Sequence, residues 1–178
     1  MLDYCEVAVD GGTLVPSRSR RKVLGLDIDI RPHNRAAIEA HPLAHLITMI
    51  EGSSVDEGIV ARVHEIAKGF ERILVFLDSN HTHEHVLAEL EAYAPLTSPG
   101  SYCVVFDTLI EDVSGDLFAD RPWGVGNNPK TAVRAYLHEL ATAGRKATDG
   151  KELRLVADHD IENKLAITVA PDGYLRRV

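Results

Sequence analysis

Between Asp78 and His85 the chain reads DSNHTHEH, an aspartate followed by histidines at 81, 83 and 85. Imidazole titrates near neutral pH, so a histidine here can move a proton or bind a metal. His81, three residues beyond Asp78, is a candidate general base. Paired histidines are also zinc ligands, and a helix beginning near His81 would place His81 and His85 on one face with His83 turned away. A metal-dependent hydrolase built on His81 and His85 is therefore an alternative, although neither the HxHxDH nor the helical HExxH pattern is present. The plain structural use of the same residues is a solvated first helical turn.

Acids recur at comparable places. Asp27 and Asp29, Asp78, and Asp107 each follow a short apolar run (KVLGLDI, RILVFL, SYCVVF). An acid directly after a buried strand can meet a ligand hydroxyl or a metal, and a helix N-cap is the competing local use. Their repetition favours a site, because ligands of open α/β sheets bind beyond the carboxyl ends of the strands. The segment Asp120–Lys130 (DRPWGVGNNPK) carries the single tryptophan and reads either as a lid over such a site or as a surface loop anchored by a buried indole. No GxGxxG follows a strand and no GxxxxGK[ST] occurs, which excludes Walker-type nucleotide hydrolysis.

The elements that would position these residues alternate. Lys22–Ile28, His45–Glu51, Arg72–Leu77 and Ser101–Phe106 are short apolar runs that predict strands. His33–Ala40, Val55–Lys68, His81–Tyr93 and Pro129–Ala143 have the spacing of amphipathic helices. Continuous apolar strands separated by helices predict a parallel sheet covered on both faces. Leu153–Ala157 and Leu165–Ala170 lie too close for a crossover helix, so they are expected to form an antiparallel pair. The fold class is α/β with an antiparallel C-terminal hairpin.

Composition narrows the function classes. The 178 residues suit one domain, and 45% apolar residues suffice for a core. The net charge is −8, from 27 acids and 19 bases, which argues against nucleic acid or an anionic membrane as the main partner. No apolar run approaches the ~20 residues needed to cross a bilayer. Met1–Gly12 holds Asp3, Glu6 and Asp10 and lacks the apolar core of a signal peptide. Cys5 and Cys103 are not spaced as metal ligands and suggest a reducing compartment, so the expected location is cytoplasmic. A homo-oligomer is compatible with all of this.

The stretches VLGLDIDIRPHNRAAIEAHPLAHLITMIEGSS, VFLDSNHTHEHVLAELEAYAPLTSPGSYCVVFDTLIED, DRPWGVGNNPKTAV and NKLAITVAPDGYLRRV follow one another in the order of a known family. Residues 22–178 resemble the cephalosporin hydroxylase / rhamnosyl O-methyltransferase family. The resemblance implies a Rossmann-like, class I S-adenosylmethionine-dependent methyltransferase domain with a mostly parallel seven-stranded sheet, an antiparallel last strand and helices on both faces. It implies S-adenosylmethionine as cofactor, Mg2+ as a second group, and a small-molecule or sugar hydroxyl as methyl acceptor. Asp27 is implied to hold the cofactor ribose, with Asp29 as competitor. Gly52, Ser53 and Ser54 are implied to border the adenine. Asp78 is implied both at the cofactor and, with Asp107, as a metal ligand. Thr108 stands where metal-dependent relatives often carry a further acid or amide. His81 is implied as the catalytic base. Asp10–Leu14 (DGGTL) resembles the end of the family's acidic, glycine-rich turn, and TLVPSRSRRK stands where the next helix is expected. Residues 1–21 are therefore expected to be a divergent or flexible segment, and a truncated or non-catalytic methyltransferase-like protein is the alternative to an enzyme.

Overall fold

The computed structural model describes residues 21–178 and, ahead of them, two short strands, β1 (Val9–Asp10) and β2 (Thr13–Leu14). Most of the segment expected to be divergent, including Gly11 and Gly12 of the glycine-rich turn, lies outside the described residues. β1 and β2 pair antiparallel, Val9 opposite Leu14 and Asp10 opposite Thr13. The chain divides into two compact units, Met1–Ile59 and Val60–Val178.

In the first unit, β3 (Val23–Asp27) runs into α1 (Pro32–Glu39) and returns as β4 (Ile47–Glu51). Pro32 opens α1, where its fixed φ and missing N–H cost nothing. β3 and β4 are parallel and in register from Val23 opposite Ile47 to Asp27 opposite Glu51. Beyond β4 the chain turns at Gly52, whose φ of 143° favours glycine. A Cβ there would stand 2.3 Å from Ile59 Cδ1. The Gly52 N–H donates to Asp27 O at 2.8 Å, which ties this turn to the end of β3.

The helix α2 (Glu57–Ala67) leads into the second unit. There follow β5 (Val75–Leu77), α3 (His83–Tyr93), β6 (Tyr102–Val105), α4 (Pro129–Ala143), β7 (Leu155–Ala157), the short α5 (His159–Glu162) and β8 (Tyr174–Arg177). Their sheet has the order β5-β6-β8-β7. β5 and β6 are parallel, and β8 is antiparallel to both β6 and β7. Hence β5, β6 and β7 share one direction, and β8 alone is inserted against them. This is the α/β arrangement expected, parallel with an antiparallel C-terminal strand. The helix α4 starts at a capping box: the Asn128 side chain accepts from the Lys130 and Thr131 N–H groups, and Pro129 is the first helical residue. It ends at Gly144 in the left-handed conformation. α3 and α4 pack together, burying Val86, Leu90, Val133, Tyr136 and Leu140.

Two expectations need correction. Leu165–Ala170 is not a strand; β7 pairs instead with Tyr174–Arg177. The large apolar residues of LAITVA are exposed, Ile167 to 90%, and only Ala170 at its end is buried. Thr168 Oγ1 accepts the Ala170 N–H, Asp172 takes φ 63°, and the chain enters β8 only at Tyr174. In β8 Leu175 is buried, and so is Arg177, because its guanidinium donates to Thr97 O and makes a two-oxygen contact with Asp149 at 2.8 and 2.9 Å. A hydropathy pattern does not score a buried arginine as a core residue. The second correction is that α3 begins at His83, not His81, with the extended Thr82 as its N-cap. Among the described residues, no helix is long and apolar enough to cross a membrane.

Candidate functional site

Asp78 follows β5 directly, and Asp107 lies two residues beyond β6. Because β5 and β6 are parallel, both carboxylates fall at the same end of the sheet. His81 lies in the loop ahead of α3 and faces both. Its Nε2 is 3.0 Å from Asp107 Oδ2 and 3.6 Å from Asp78 Oδ1. One ligand atom from each residue falls within a 4.8 Å group. Yet Nε2 is buried and makes no hydrogen bond, so at these short distances it is aligned with neither oxygen. His81 is thus a basic neighbour of both carboxylates. Asp107 adopts φ 55°, ψ 23°, a left-handed conformation uncommon outside glycine. Such local strain persists where surrounding structure enforces it, often at functional positions.

A cluster of two oxygen donors and one nitrogen suits a divalent cation. Asp78 and Asp107 offer carboxylate oxygens, the donors that Mg2+ takes at about 2.1 Å. The two carboxylates therefore fit Mg2+, and the imidazole, a poor magnesium ligand, is left beside them as a proton acceptor.

Thr108 does not join the cluster. It is fully buried, and its hydroxyl donates to Pro171 O at 2.6 Å. After the left-handed Asp107 the chain enters a tight 3₁₀ turn, Thr108–Asp112, which sends consecutive side chains in different directions. The three histidines of DSNHTHEH also diverge. His83 Nδ1 lies 2.8 Å from Thr131 Oγ1, and His85 Nε2 lies 3.5 Å from Glu89 Oε1. His81 and His85 thus do not share a face, because His81 precedes the helix. The paired-histidine zinc site that a hydrolase would need is not assembled among the described residues.

The loop ahead of α4 reaches this cluster. Trp123 packs against His81 with ring centroids 4.9 Å apart and planes at 77°. Glu111 Oε2 accepts the Gly126 N–H at 2.7 Å and the Asn128 side-chain amide. These bonds hold the Glu111 carboxyl below the usual carboxylate range, the Gly126 N–H first among them. At the other side of α4, Lys130 is buried and its ammonium contacts Asp112 Oδ2 at 2.5 Å and Asp172 Oδ2 at 2.9 Å. Burial presses this ammonium toward neutrality, but the two carboxylates overcome that and raise its pKa. A second acid–histidine group, His159, Glu162 and Asp172, lies beside this pair, so Asp172 already has its cation. Sequence spacing gave no sign of the Glu111 clamp, since its partners lie in another segment. The helix starting at Pro129 was its one legible part.

In the first unit, a cavity of about 400 Å³ lies between the end of β3 and α1 and is lined by Asp27, Asp29, Asn34, Ile38 and Met49 among others. That volume is in the range of small-molecule pockets, roughly 300–1,000 Å³. Asp27 Oδ1 accepts the Asp29 N–H at 2.9 Å, which ties together two of the acids that line it. Gly52 and Ser53 form the neighbouring turn, in which Ser53 O accepts the Asp56 N–H, and Ser54 follows; these three do not line the cavity.

Asp78, His81 and Asp107 stand past the carboxyl ends of β5 and β6, where open α/β sheets bind their ligands, so the class of the protein is α/β. Within that class the chain belongs to the rhamnosyl O-methyltransferase/CmcI family, which residues 7–178 match. It is 33% identical over 132 residues to the rhamnosyl O-methyltransferases of Mycobacterium bovis (strain BCG / Pasteur 1173P2) and Mycobacterium tuberculosis (strain ATCC 25618 / H37Rv), covering 74% of this chain and 47% of each relative. With the Mycobacterium leprae (strain TN) protein of the same name it shares 28% over 159 residues, or 88% of this chain and 59% of that one. The chain therefore spans about half the length of these curated relatives. Among solved structures, the MycE methyltransferase from the mycinamycin biosynthetic pathway, in complex with Mg, SAH and mycinamycin VI, is similar at TM-score 0.48 and 19% identity, covering 78% of this chain and 34% of that one.

Proposed function

We propose that this chain carries the cofactor-binding and catalytic region of an S-adenosylmethionine-dependent O-methyltransferase acting on a hydroxyl of a sugar or other small molecule. The observation that carries the reading is the convergence of Asp78, His81 and Asp107 at one end of the parallel strands β5 and β6. Membership of the family supports the same reading.

In this mechanism Asp27 accepts hydrogen bonds from the cofactor ribose, and Asp29 is kept in place beside it by the Asp27 carboxylate. Asp78 and Asp107 would hold Mg2+, which supplies positive charge that lowers the pKa of a bound acceptor hydroxyl. His81 Nε2, the one member of the cluster with a lone pair unsuited to magnesium, accepts the hydroxyl proton. Bound S-adenosylmethionine would supply the methyl group for the acceptor oxygen and leave as S-adenosylhomocysteine, with the acceptor proton kept on the His81 imidazole.

Isothermal titration with S-adenosylhomocysteine, with and without MgCl2, tests the reading on the full chain. Binding that is lost in Asp27→Ala is expected, together with Mg2+ binding that is lost in Asp107→Asn. A folded protein that binds neither would refute it and favour a non-catalytic member of the family.

A further inference from the structure

We propose that Trp123 is a positioning residue that holds the His81 imidazole in the orientation it needs as a base. The proposal rests on the reading of His81 as that base. A working histidine normally has its second ring nitrogen held by a carbonyl or carboxylate, and that bond sets the ring plane. His81 shows no such tether among the described residues: its buried Nε2 makes no hydrogen bond, and the carboxylates lie off the Nε2 direction. Besides the two unaligned carboxylates, the ring is met by the indole of Trp123, edge to face at 4.9 Å. Such aromatic contacts have a preferred geometry and so can fix a ring plane.

The indole is itself held from several sides. The Arg121 guanidinium lies 5.5 Å from the Trp123 ring centroid. Gly124 and Asn127 exchange two backbone hydrogen bonds of 3.0 Å across the turn that follows Trp123. The Asn127 side chain donates to Pro122 O at 2.9 Å and accepts the His83 N–H at 2.9 Å. His83 is the first residue of α3 and lies two residues from His81. Asn127 thus registers the tryptophan loop on the same short segment that carries the imidazole. Glu111 fixes the far side of the loop through Gly126 and Asn128.

The size of the effect follows from side-chain freedom. An untethered histidine has three χ1 wells and a roughly two-fold χ2, about six arrangements, of which one is productive. Loss of the indole is therefore expected to lower kcat about six-fold with little change in KM for S-adenosylmethionine. Trp123→Phe, which keeps a ring, is expected to recover most of the rate. Trp123→Ala placed on His81→Asn is expected to cost nothing further, because no imidazole remains to be positioned. Asn127→Ala, which releases the loop while leaving the indole intact, is expected to mimic Trp123→Ala and serves if that variant does not fold.

A second readout needs no turnover. In metal-free protein, NMR of the His81 ring should show ring-current-shifted resonances and one dominant rotamer, with averaged couplings and unshifted resonances in Trp123→Ala. Retention of the single rotamer in a folded Trp123→Ala or Asn127→Ala protein would overturn the proposal. So would an equal kcat loss on the His81→Asn background, which would place Trp123 against the acceptor instead. If the chain transfers no methyl group at all, the reading of the site fails while the NMR result still decides whether Trp123 orients His81.

Discussion

Gly173→Ala should damage both the fold and the candidate metal site, although Gly173 lies in neither a helix nor the site itself. A Cβ at this position would stand 2.2 Å from Val105 O, 3.1 Å from Ala170 O and 3.2 Å from Ala170 Cβ. The nearest obstacle is backbone of β6, which cannot rotate away as a side chain can. Relief needs a shift of about 1 Å between the two segments. That shift pulls apart the bond in which Gly173 O accepts the Val105 N–H at 2.9 Å. The lost hydrogen bond contributes about 1 kcal/mol, and overpacking strain adds about 1–3 kcal/mol, for a total of about 2–4 kcal/mol. At about 2–4 °C per kcal/mol for a chain of this size, the melting temperature should fall by about 5–15 °C. Gly115→Ala, where an added Cβ meets nothing within 4 Å, is the control and should stay within about 0.5 kcal/mol of the parent. Thermal unfolding followed by circular dichroism reads both. Asp107 stands two residues beyond Val105, so Mg2+ affinity measured by titration should weaken in Gly173→Ala before the protein melts. A Gly173→Ala protein that melts with the parent would show that the β6–β8 approach is not as close as described.

Lys130→Met keeps the volume of the buried side chain but strands Asp112 and Asp172. Breaking a fully buried pair costs about 3–5 kcal/mol, and because these carboxylates are 42% and 40% exposed about half of that is expected by urea denaturation. Asp149 is held below the usual carboxylate range chiefly by its bond to Arg177, and Asp172 chiefly by its bond to Lys130. Both are lowered in the fold, so their contribution is present above the ordinary carboxyl value of about 4 and is lost as pH falls through the folded values; an acid-unfolding series should show this, with a shallower profile in Asp149→Asn. Cys103 is fully buried, and its thiol is pushed up to about 12 by desolvation. In a Cys5→Ser background no thiol should react with a disulfide reagent at pH 8 until the protein unfolds, and fast labelling of the native protein would contradict the burial.

The chain's local chemistry settled a good deal. Apolar runs at β3, β5 and β6 and amphipathic spacing at α2 and α4 are periodicities that neighbouring residues set between themselves. Pro32, Pro129 and Gly144 mark helix ends because proline and glycine restrict or free the backbone wherever they stand. An acid just after an apolar run was enough to single out Asp27, Asp78 and Asp107. What the sequence could not decide was which of its polar residues meet. His81 faces Asp107 only because β5 and β6 align in parallel, and its separation from His83 and His85 depends on a helix starting two residues late. Thr108 sits beside Asp107 in the chain and away from the site in space, since a left-handed residue and a tight turn intervene. Tertiary structure alone made a core strand of YLRR, because Arg177 is burial-competent only with Asp149 and Thr97 O at hand. Tertiary structure likewise brought Trp123 onto His81, because the tryptophan loop donates its Gly126 N–H to Glu111 and accepts the His83 N–H at Asn127, partners that no sequence spacing specifies.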